Sequence, residues 1–510
     1  MRLQTNLPTV PPSRVSPKRM ERRLWSEAQP RGRLRNAPHS PWHAGVFRRL
    51  HTPYMNQGDG PALIRNSFDA TSEVRKTPPA DRREFRDQIH FALQWKSRSM
   101  PLAAALNAGD TAWMLTSTAL VLFMMIPGLA MFYAGLVRRA NVLSVYMQCF
   151  ALTCLLSVIW LVCGYSLVFT TSNPVCGSLA KSCLTGVTAN SMWGETGIPE
   201  LLGFAYQMTF FIITPGLMIG AWVERMKFSA VMIFSALWSL LVYVPIAHMV
   251  WGPEANMFGL TGVIDHAGGI VVHITAGIGA LVACVLLGKR LGFPSTPMPP
   301  HNLPMAVVGA GMLWVGWFGF NAGSGMAANG AAAMTMVVTH ISASVAALVW
   351  IGLESRTFGK PSVLGVVTGS IAGLAAITPA SGTVGPLGAV VIGATSACIC
   401  WMACAKLKKK FGYDDSLDVF GVHGVGGIVG TILVGAFASP MLGGNQHPEF
   451  SIASQLGTQL GAALITAVWS GIVSVILLRL TDALVGLRVT QNVELAGLDL
   501  AEHGEAAYND

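Results

Sequence analysis

Charge is what this chain has least of. Asp, Glu, Lys and Arg make up 12% of its 510 residues and 52% are hydrophobic, with a mean hydropathy of +0.51. A soluble domain carries about a quarter charged residues, so an ordinary water-soluble globule is excluded and an integral membrane protein is indicated. The scarcity is uneven. Residues 1–99 hold 19 Lys/Arg against 8 Asp/Glu, a net +11, whereas the remainder carries −2. The formal +9 therefore describes the N-terminal segment alone and gives the membrane body no basic character suited to nucleic acid. That segment is rich in Arg and Pro and lacks the apolar stretch of a secretory signal. Residues 1–99 are expected to be a disordered extension, or to precede a working start near Met100. Most of the nine cysteines sit in apolar runs and read as small buried hydrophobes. Cys176 and Cys183 lie instead in the polar stretch "TSNPVCGSLAKSCLTG", where an extracytoplasmic setting would permit a disulfide.

From Ala112 onward, apolar runs long enough to cross roughly 30 Å of hydrocarbon follow one another with short polar breaks. About eleven transmembrane helices are expected, near 112–136, 142–169, 201–222, 229–251, 267–288, 303–323, 330–353, 362–380, 386–405, 418–437 and 455–486. Every second break is basic: "VRRAN", "ERMKF", "GKRLGF", "ESRTFGK" and "KLKKKFG". The positive-inside rule places these breaks in the cytoplasm, with the start of the first span outside and the C-terminus inside. Gly clusters within spans, as in "GAGMLWVGWFGFNAGSG", which predicts close helix approach in a many-helix bundle.

Two histidines interrupt this apolar body: His273 in "DHAGGIVVHITAG" and His423 in "DVFGVHGVGGIVG". An imidazole within a span must be paired or face a cavity, which makes it a functional-site hypothesis. The two lie five spans apart, on helices of opposite direction. Each is followed by Gly at the fourth position, Gly277 and Gly427, and each span opens with an Asp, Asp265 and Asp418. That is the weak symmetry of an inverted repeat, five spans against five plus a final helix, with a site at the repeat interface near the midplane. Each histidine is bonded to backbone, or ligates a metal, or lines a path for a polar or protonatable substrate. A metal site wants three or four ligands, and no third His or Cys stands one turn away. The symmetric pairing favours the path. Helix N-capping is the leading reading for both aspartates; at Asp265 an electrostatic role toward a nearby cation stays open. Aromatics gather at span ends, Phe210 in "YQMTFF", Trp251 in "HMVWG" and Phe320 in "WFGFNAG". They read either as an interfacial belt or as a cation–π site with Ser324 as a hydroxyl acceptor.

Together these motifs, with "LVLFMMIPGLAMFYAGL", "IGAWVERMKFSAV", "PHNLPM" and the tail "GLDLAEHGEAAYN", resemble the ammonium transporter (Amt) family in its bacterial branch. The resemblance spans 107–510 and leaves 1–99 without a counterpart. It implies a transmembrane transporter domain over 107–487, a cytoplasmic regulatory tail over 488–510, and a homotrimer in a bacterial inner membrane, each subunit with its own pore. It further implies no cofactor and no enzymatic activity. By position, Phe210, Trp251 and Ser324 match the ammonium recruitment site, Phe210 and Phe320 the stacked gate, and His273 and His423 the twin-histidine pair. Asp265 matches the acidic residue beside the entrance, and Gln207 and Trp317 match further pore positions. A PII-type nitrogen-signalling protein is the implied partner at the cytoplasmic mouth. Three positions depart from the pattern: His266 replaces an aromatic, Pro215 an apolar residue, and Gly426 a frequent Cys. Pro215 is expected to kink its helix, and His266 to add a titratable group near the entrance. The nearest alternative is an electroneutral Rhesus-type ammonia channel. A sensor is expected to carry an output domain, which the sequence through Asp510 does not contain. An intramembrane hydrolase or metalloenzyme would need a nucleophile–base set or a fuller ligand count.

Overall fold

The computed structural model describes residues 105–253 and 256–508. The basic segment 1–99 lies outside the described residues. Helices account for the regular structure, with no strand among the described residues beyond two isolated bridges. In chain order the helices are α1 (Ala108–Leu136), α2 (Arg139–Phe169), α3 (Glu200–Trp222), α4 (Phe228–Trp251), α5 (Gly269–Leu287), α6 (Leu303–Gly323), α7 (Gly330–Phe358), α8 (Val363–Ile377), α9 (Pro386–Phe411), α10 (Phe420–Phe437) and α11 (Ile452–Val485). Ten are long and apolar enough to span a bilayer and α8 is shorter, so all eleven expected spans are present. Two short helices, α12 (Gln491–Ala496) and α13 (Leu498–His503), follow.

The two sets of five pack alike. Helix α2 lies against α3 and α4 as α7 lies against α8 and α9, and α3 packs on α5 as α8 packs on α10. The sets meet through α1 against α6 and α5 against α10. At the α5–α10 crossing a Cβ on Gly277 would stand 2.2 Å from the Cα of Gly424, and one on Gly427 would stand 2.9 Å from the Cβ of His273. Glycine is therefore required there for the backbones to touch, and this contact brings the two histidine-bearing turns together.

Burial sorts the helices by neighbour. In α3, 83% of the most apolar stretch is buried, whereas in α11 the share is 33%, with Leu464, Ile472 and Ile476 exposed. Without water, apolar side chains have no reason to hide, so exposed rows of this kind face lipid. Helix α3 continues unbroken through the buried Pro215. Interruptions occur elsewhere: α1 has an extended residue at Ile126 before Pro127, and α5 and α10 each begin with a wide π turn, Gly269–Ile274 and Phe420–Gly424. Such turns push one side chain out of helical register and are common at functional sites. Here they contain His273 and His423.

Candidate functional site: an apolar passage with two histidines

The site starts at the end of α4, where Trp251 is half-buried and donates its indole N–H to the Asp265 carbonyl at 3.0 Å. Room for the ring depends on Gly268. Its φ of +111° suits glycine, and a Cβ there would reach 3.3 Å from the ring and 2.6 Å from Val272. The Asp265 carboxylate accepts from the backbone N–H groups of Gly268, Gly269, Ile270 and Val271 at 2.6–3.1 Å. Four donors saturate it and cap α5. Burial pushes its carboxyl up from the ordinary value, and the four N–H bonds oppose the rise.

Phe210 meets Trp251 edge-on at 5.8 Å between centroids, and its other side lies on Phe320 at 4.3 Å and 33°. Both Phe rings are 1% exposed, so they close the passage beneath the half-exposed Trp251 and Ser324. Ser324 donates to the Phe320 carbonyl at 2.9 Å. Below the stack, His273 and His423 face one another with Nδ1 to Nδ1 at 3.3 Å and rings 20° from parallel. Among the described residues the Nε2 of His273 is buried without a partner. Trp317 stacks on His273 at 5.6 Å and is held by a bond from its indole N–H to the Thr378 hydroxyl at 2.9 Å. A narrow cavity lined by Ile213, Leu217, Val272, Leu313, Trp317 and Phe320 ends on both imidazoles. A second, larger cavity runs from His423 past Thr368 to Ser416 and Asp418 at the opposite mouth. His423 lines both cavities, whereas His273 lines only the first. Among the described residues no cluster of three or more His, Cys, Asp or Glu is set to hold a metal.

A continuous line of aromatic, imidazole and apolar groups thus joins two mouths of a membrane bundle. Residues 112–508 match the model of the Ammonium Transporter Family. The chain belongs to the ammonium transporter family. It is 43% identical over 408 residues to the ammonium transporter of Aquifex aeolicus (strain VF5), a match covering 80% of this chain and 95% of the relative. The crystal structure of Candida albicans Mep2 superposes with a TM-score of 0.71 at 34% identity, covering 80% and 92% of the two chains. A structure described as a sensor Amt protein gives a TM-score of 0.73 at 26% identity, covering 78% and 98%. The family is one of membrane transport proteins rather than enzymes.

Within this Amt fold, Phe210, Trp251, Ser324, Phe320, His273, His423 and Trp317 form one contiguous set. Gln207 is buried on α3, and among the described residues it makes no hydrogen bond or ring contact to them. Two residues that support the set escape sequence reasoning. Tyr206 meets Phe210 edge-on at 5.0 Å, and its hydroxyl lies 2.9 Å from the Gly319 and Phe320 carbonyls and 3.2 Å from the Ser324 hydroxyl. Thr378 supports Trp317. The signal for Tyr206 stood in "YQMTFF", one turn before Phe210; Thr378 carried none.

Three further expectations are corrected. Asp418 does not cap α10. Its φ is +60°, which turns the side chain to Lys408 Nζ at 2.7 Å, while Asp415 accepts the N–H of Phe420 at 2.8 Å. His266 bonds through Nε2 to the Asn321 carbonyl at 3.0 Å, and burial holds its pKa down at about 4 against the pull of that carbonyl. The ring is therefore neutral at neutral pH and adds no titration there. Cys176 and Cys183 are both free.

At the mouth beyond His423, loops and tail are joined by buried charge. Glu224 accepts from the Arg138 backbone N–H at 2.6 Å and from the Arg290 guanidinium at 3.1 Å, and Arg290 also grips Asp414 at 2.9 Å. Burial alone would raise the Asp414 carboxyl, but Arg290 and Arg225 hold it below its ordinary value. The tail joins the same network through Glu494, which accepts from Leu291 N–H and Arg488, and Asp499, which accepts from Ser144 N–H.

Proposed function

We propose that this protein recruits ammonium beside Trp251, removes one proton, and conducts ammonia past His273 and His423, with the proton moving alongside. The observation that carries the reading is the imidazole pair at 3.3 Å in an otherwise apolar passage beneath two stacked phenyl rings. A bare ion loses far more in leaving water for such a passage than the walls return. Potassium has no neutral form, whereas ammonium becomes neutral by giving up a proton. Trp251 and Phe210 offer faces worth about 0.5–2 kcal/mol to a cation, and Ser324 and Tyr206 offer hydroxyl oxygens. Each imidazole nitrogen serves as donor or acceptor, so the pair both bonds to ammonia and offers a shared site to a proton.

The same reading places the protein in a bacterial inner membrane as a homotrimer, N-terminus out and C-terminus in. The basic breaks between α1 and α2, α3 and α4, α5 and α6, and α7 and α8, with the basic end of α9, support that orientation. Residues 488–510 are a regulatory tail, a role supported by the bonds of Glu494 and Asp499 to the bundle, and the cytoplasmic mouth receives a PII-type signal protein. An electroneutral gas channel is the second reading, because an apolar passage suits ammonia whether or not a proton accompanies it. Currents across proteoliposomes after ammonium and potassium pulses separate the two. A saturable current with ammonium alone supports electrogenic transport; a lumenal pH change without current supports the gas channel. Replacing both histidines by leucine should abolish the selective current, and its survival would falsify the relay.

A further inference from the structure

We propose that Cys163 and Cys183 form a reversible disulfide that fastens the loop after α2 to the side of that helix. The loop turns back along one face of α2. Gly177 N–H donates to the Leu167 carbonyl at 2.7 Å, the Ser166 hydroxyl donates to the Ser178 carbonyl at 2.8 Å, and the same hydroxyl oxygen accepts the Lys181 N–H at 2.8 Å. One helical turn before Ser166, on that face, stands Cys163. Two residues beyond Lys181 stands Cys183, in a 3-10 turn, Ser182–Leu184, that packs against the wide π turn Trp160–Gly164 containing Cys163. The two sulfurs are within electrostatic reach of each other. Cys176 lies one turn nearer the end of α2, its sulfur 3.9 Å from the Leu167 carbonyl, so Cys163 and not Cys176 shares a level with Cys183.

The local backbone and the exposure of the two thiols suit them to oxidation. Cys183 and Leu184 have φ of +51° and +58°, two consecutive left-handed residues without a glycine. Such a turn is strained and persists only where surrounding bonds fix it, so Cys183 is held in one place. Cys183 is exposed and Cys163 half-buried, so an oxidant reaches the first directly. The Cys163 thiol rests on the Ile159 carbonyl at 3.6 Å, a weak S–H contact that turning the side chain gives up at little cost. In the exchange, the Cys183 thiolate attacks one sulfur of a small disulfide such as oxidised glutathione and releases the first glutathione thiolate. The Cys163 thiolate then attacks the Cys183 sulfur and releases the second. The two protein thiols lose two protons and two electrons, and the oxidant takes up both as two thiols. In the orientation proposed above this loop is extracytoplasmic, where disulfides persist. The exchange itself does not depend on that orientation. The fastened segment lies beside Trp160, whose indole N–H donates to the Phe204 carbonyl at 3.1 Å on α3, the helix that carries Phe210.

The test uses the full-length protein in detergent, first reduced and then exposed to millimolar oxidised glutathione. Remaining thiols are blocked with N-ethylmaleimide, and peptides are mapped by mass spectrometry without reductant. A linked peptide pairing Cys163 with Cys183 is expected in most of the protein, and dithiothreitol should release it. Thermal unfolding of the oxidised wild type should lie several degrees above that of the reduced form, because the bond restricts the unfolded chain. C163S and C183S should each lose that difference, while C176S should keep it. Both thiols found blocked after oxidation would overturn the proposal, as would a linked Cys176–Cys183 peptide. Glutathione left on Cys183 beside a blocked Cys163 would also overturn it, by showing that the two sulfurs do not meet. Should a serine variant fail to fold, the peptide map of the wild type still decides. No readout here uses ammonium current, so the outcome is separate from that of the transport reading.

Discussion

Asp265 and Asp415 lie 150 positions apart, as do His273 and His423, and each aspartate caps the helix that carries its histidine. The two halves nevertheless finish this shared arrangement differently. In the first, the carboxylate is saturated by four backbone N–H groups, and its own backbone carbonyl holds Trp251. In the second, Oδ2 takes the Phe420 N–H, Oδ1 is buried with no hydrogen-bond partner among the described residues, and the neighbours are Lys408 and Asp418. The first half thus builds a fixed aromatic end of the passage. The second retains a titratable carboxyl next to a charged mouth. One repeat supplies the histidine positions, and the loop ahead of each helix decides what its end of the passage can do.

The comparison breaks most severely at the crossing that both halves share. Gly277→Ala would drive a methyl group into the Gly424 backbone at 2.2 Å, where neither helix can yield without parting the histidines. Overpacking of this kind costs about 1–3 kcal/mol or more. The expected outcome is little monodisperse protein on size-exclusion chromatography, and no ammonium current from what remains. A well-folded, conducting Gly277→Ala protein would mean that the halves do not need this contact.

Next in size is the difference between the caps. Asp265→Asn replaces one acceptor oxygen by an amide that must face N–H donors, at a cost of about 2–3 kcal/mol for lost charge-assisted bonds. Thermal unfolding in detergent should fall by several degrees, and the loop that carries the residue-265 carbonyl, pinned less firmly, should hold Trp251 less well and weaken ammonium binding. Asp415→Asn should do neither, since asparagine caps well and Oδ1 has no bond to lose. Equal losses in the two variants would show that the caps are equivalent.

The asymmetry sharpens with pH. Burial, reinforced by Asp418 and opposed by Lys408, raises the Asp415 carboxyl from 3.8 to about 6. The folded state then holds the proton more tightly than the unfolded chain. Its stabilising contribution is complete below about 3.8 and is lost as pH rises through about 6, a span worth roughly 3 kcal/mol at most. The wild type should therefore lose stability relative to Asp415→Asn between pH 4 and pH 6.5, and above that range the variant should be at least as stable. Parallel melting curves would show that Asp415 titrates normally.

How far the sequence reveals this arrangement depends on the kind of residue. Spans were legible because lipid tolerates few charges, so each helix is written as an apolar run and its end as a polar break. The histidines were legible because an imidazole is conspicuous in such a run, and the Gly at the fourth position marked the close crossing. The cap of α10 was misread because "DDSLD" offers three carboxylates, and only the left-handed backbone of Asp418 decides among them. The 150-residue offset from Asp265 would have selected Asp415. Tyr206 was legible only as a neighbour of Phe210, since its bonds to the Gly319 and Phe320 carbonyls lie far along the chain, and Thr378 stayed hidden because its role is one bond to the distant Trp317 indole.

The smallest effect is expected at Gly426. Both Gly277 and Gly426 lie on histidine-bearing helices, but a Cβ on Gly426 would find Ala372 O, Ala375 Cβ and Cys400 Sγ at 3.5–3.6 Å, which is ordinary contact. No φ in the left-handed range demands glycine there, and removing a helical glycine stabilises by about 0.5–1 kcal/mol. Gly426→Ala should therefore fold as well as the wild type or melt a degree or two higher, with an unchanged ammonium current. The position faces α8 and Cys400, away from the α5–α10 crossing, so glycine content alone does not mark the contact between the halves. If Gly426→Ala proved as damaging as Gly277→Ala, close approach would have to extend around α10 to its α8 side, and the seam between the repeats would be wider than the Gly277–Gly424 contact.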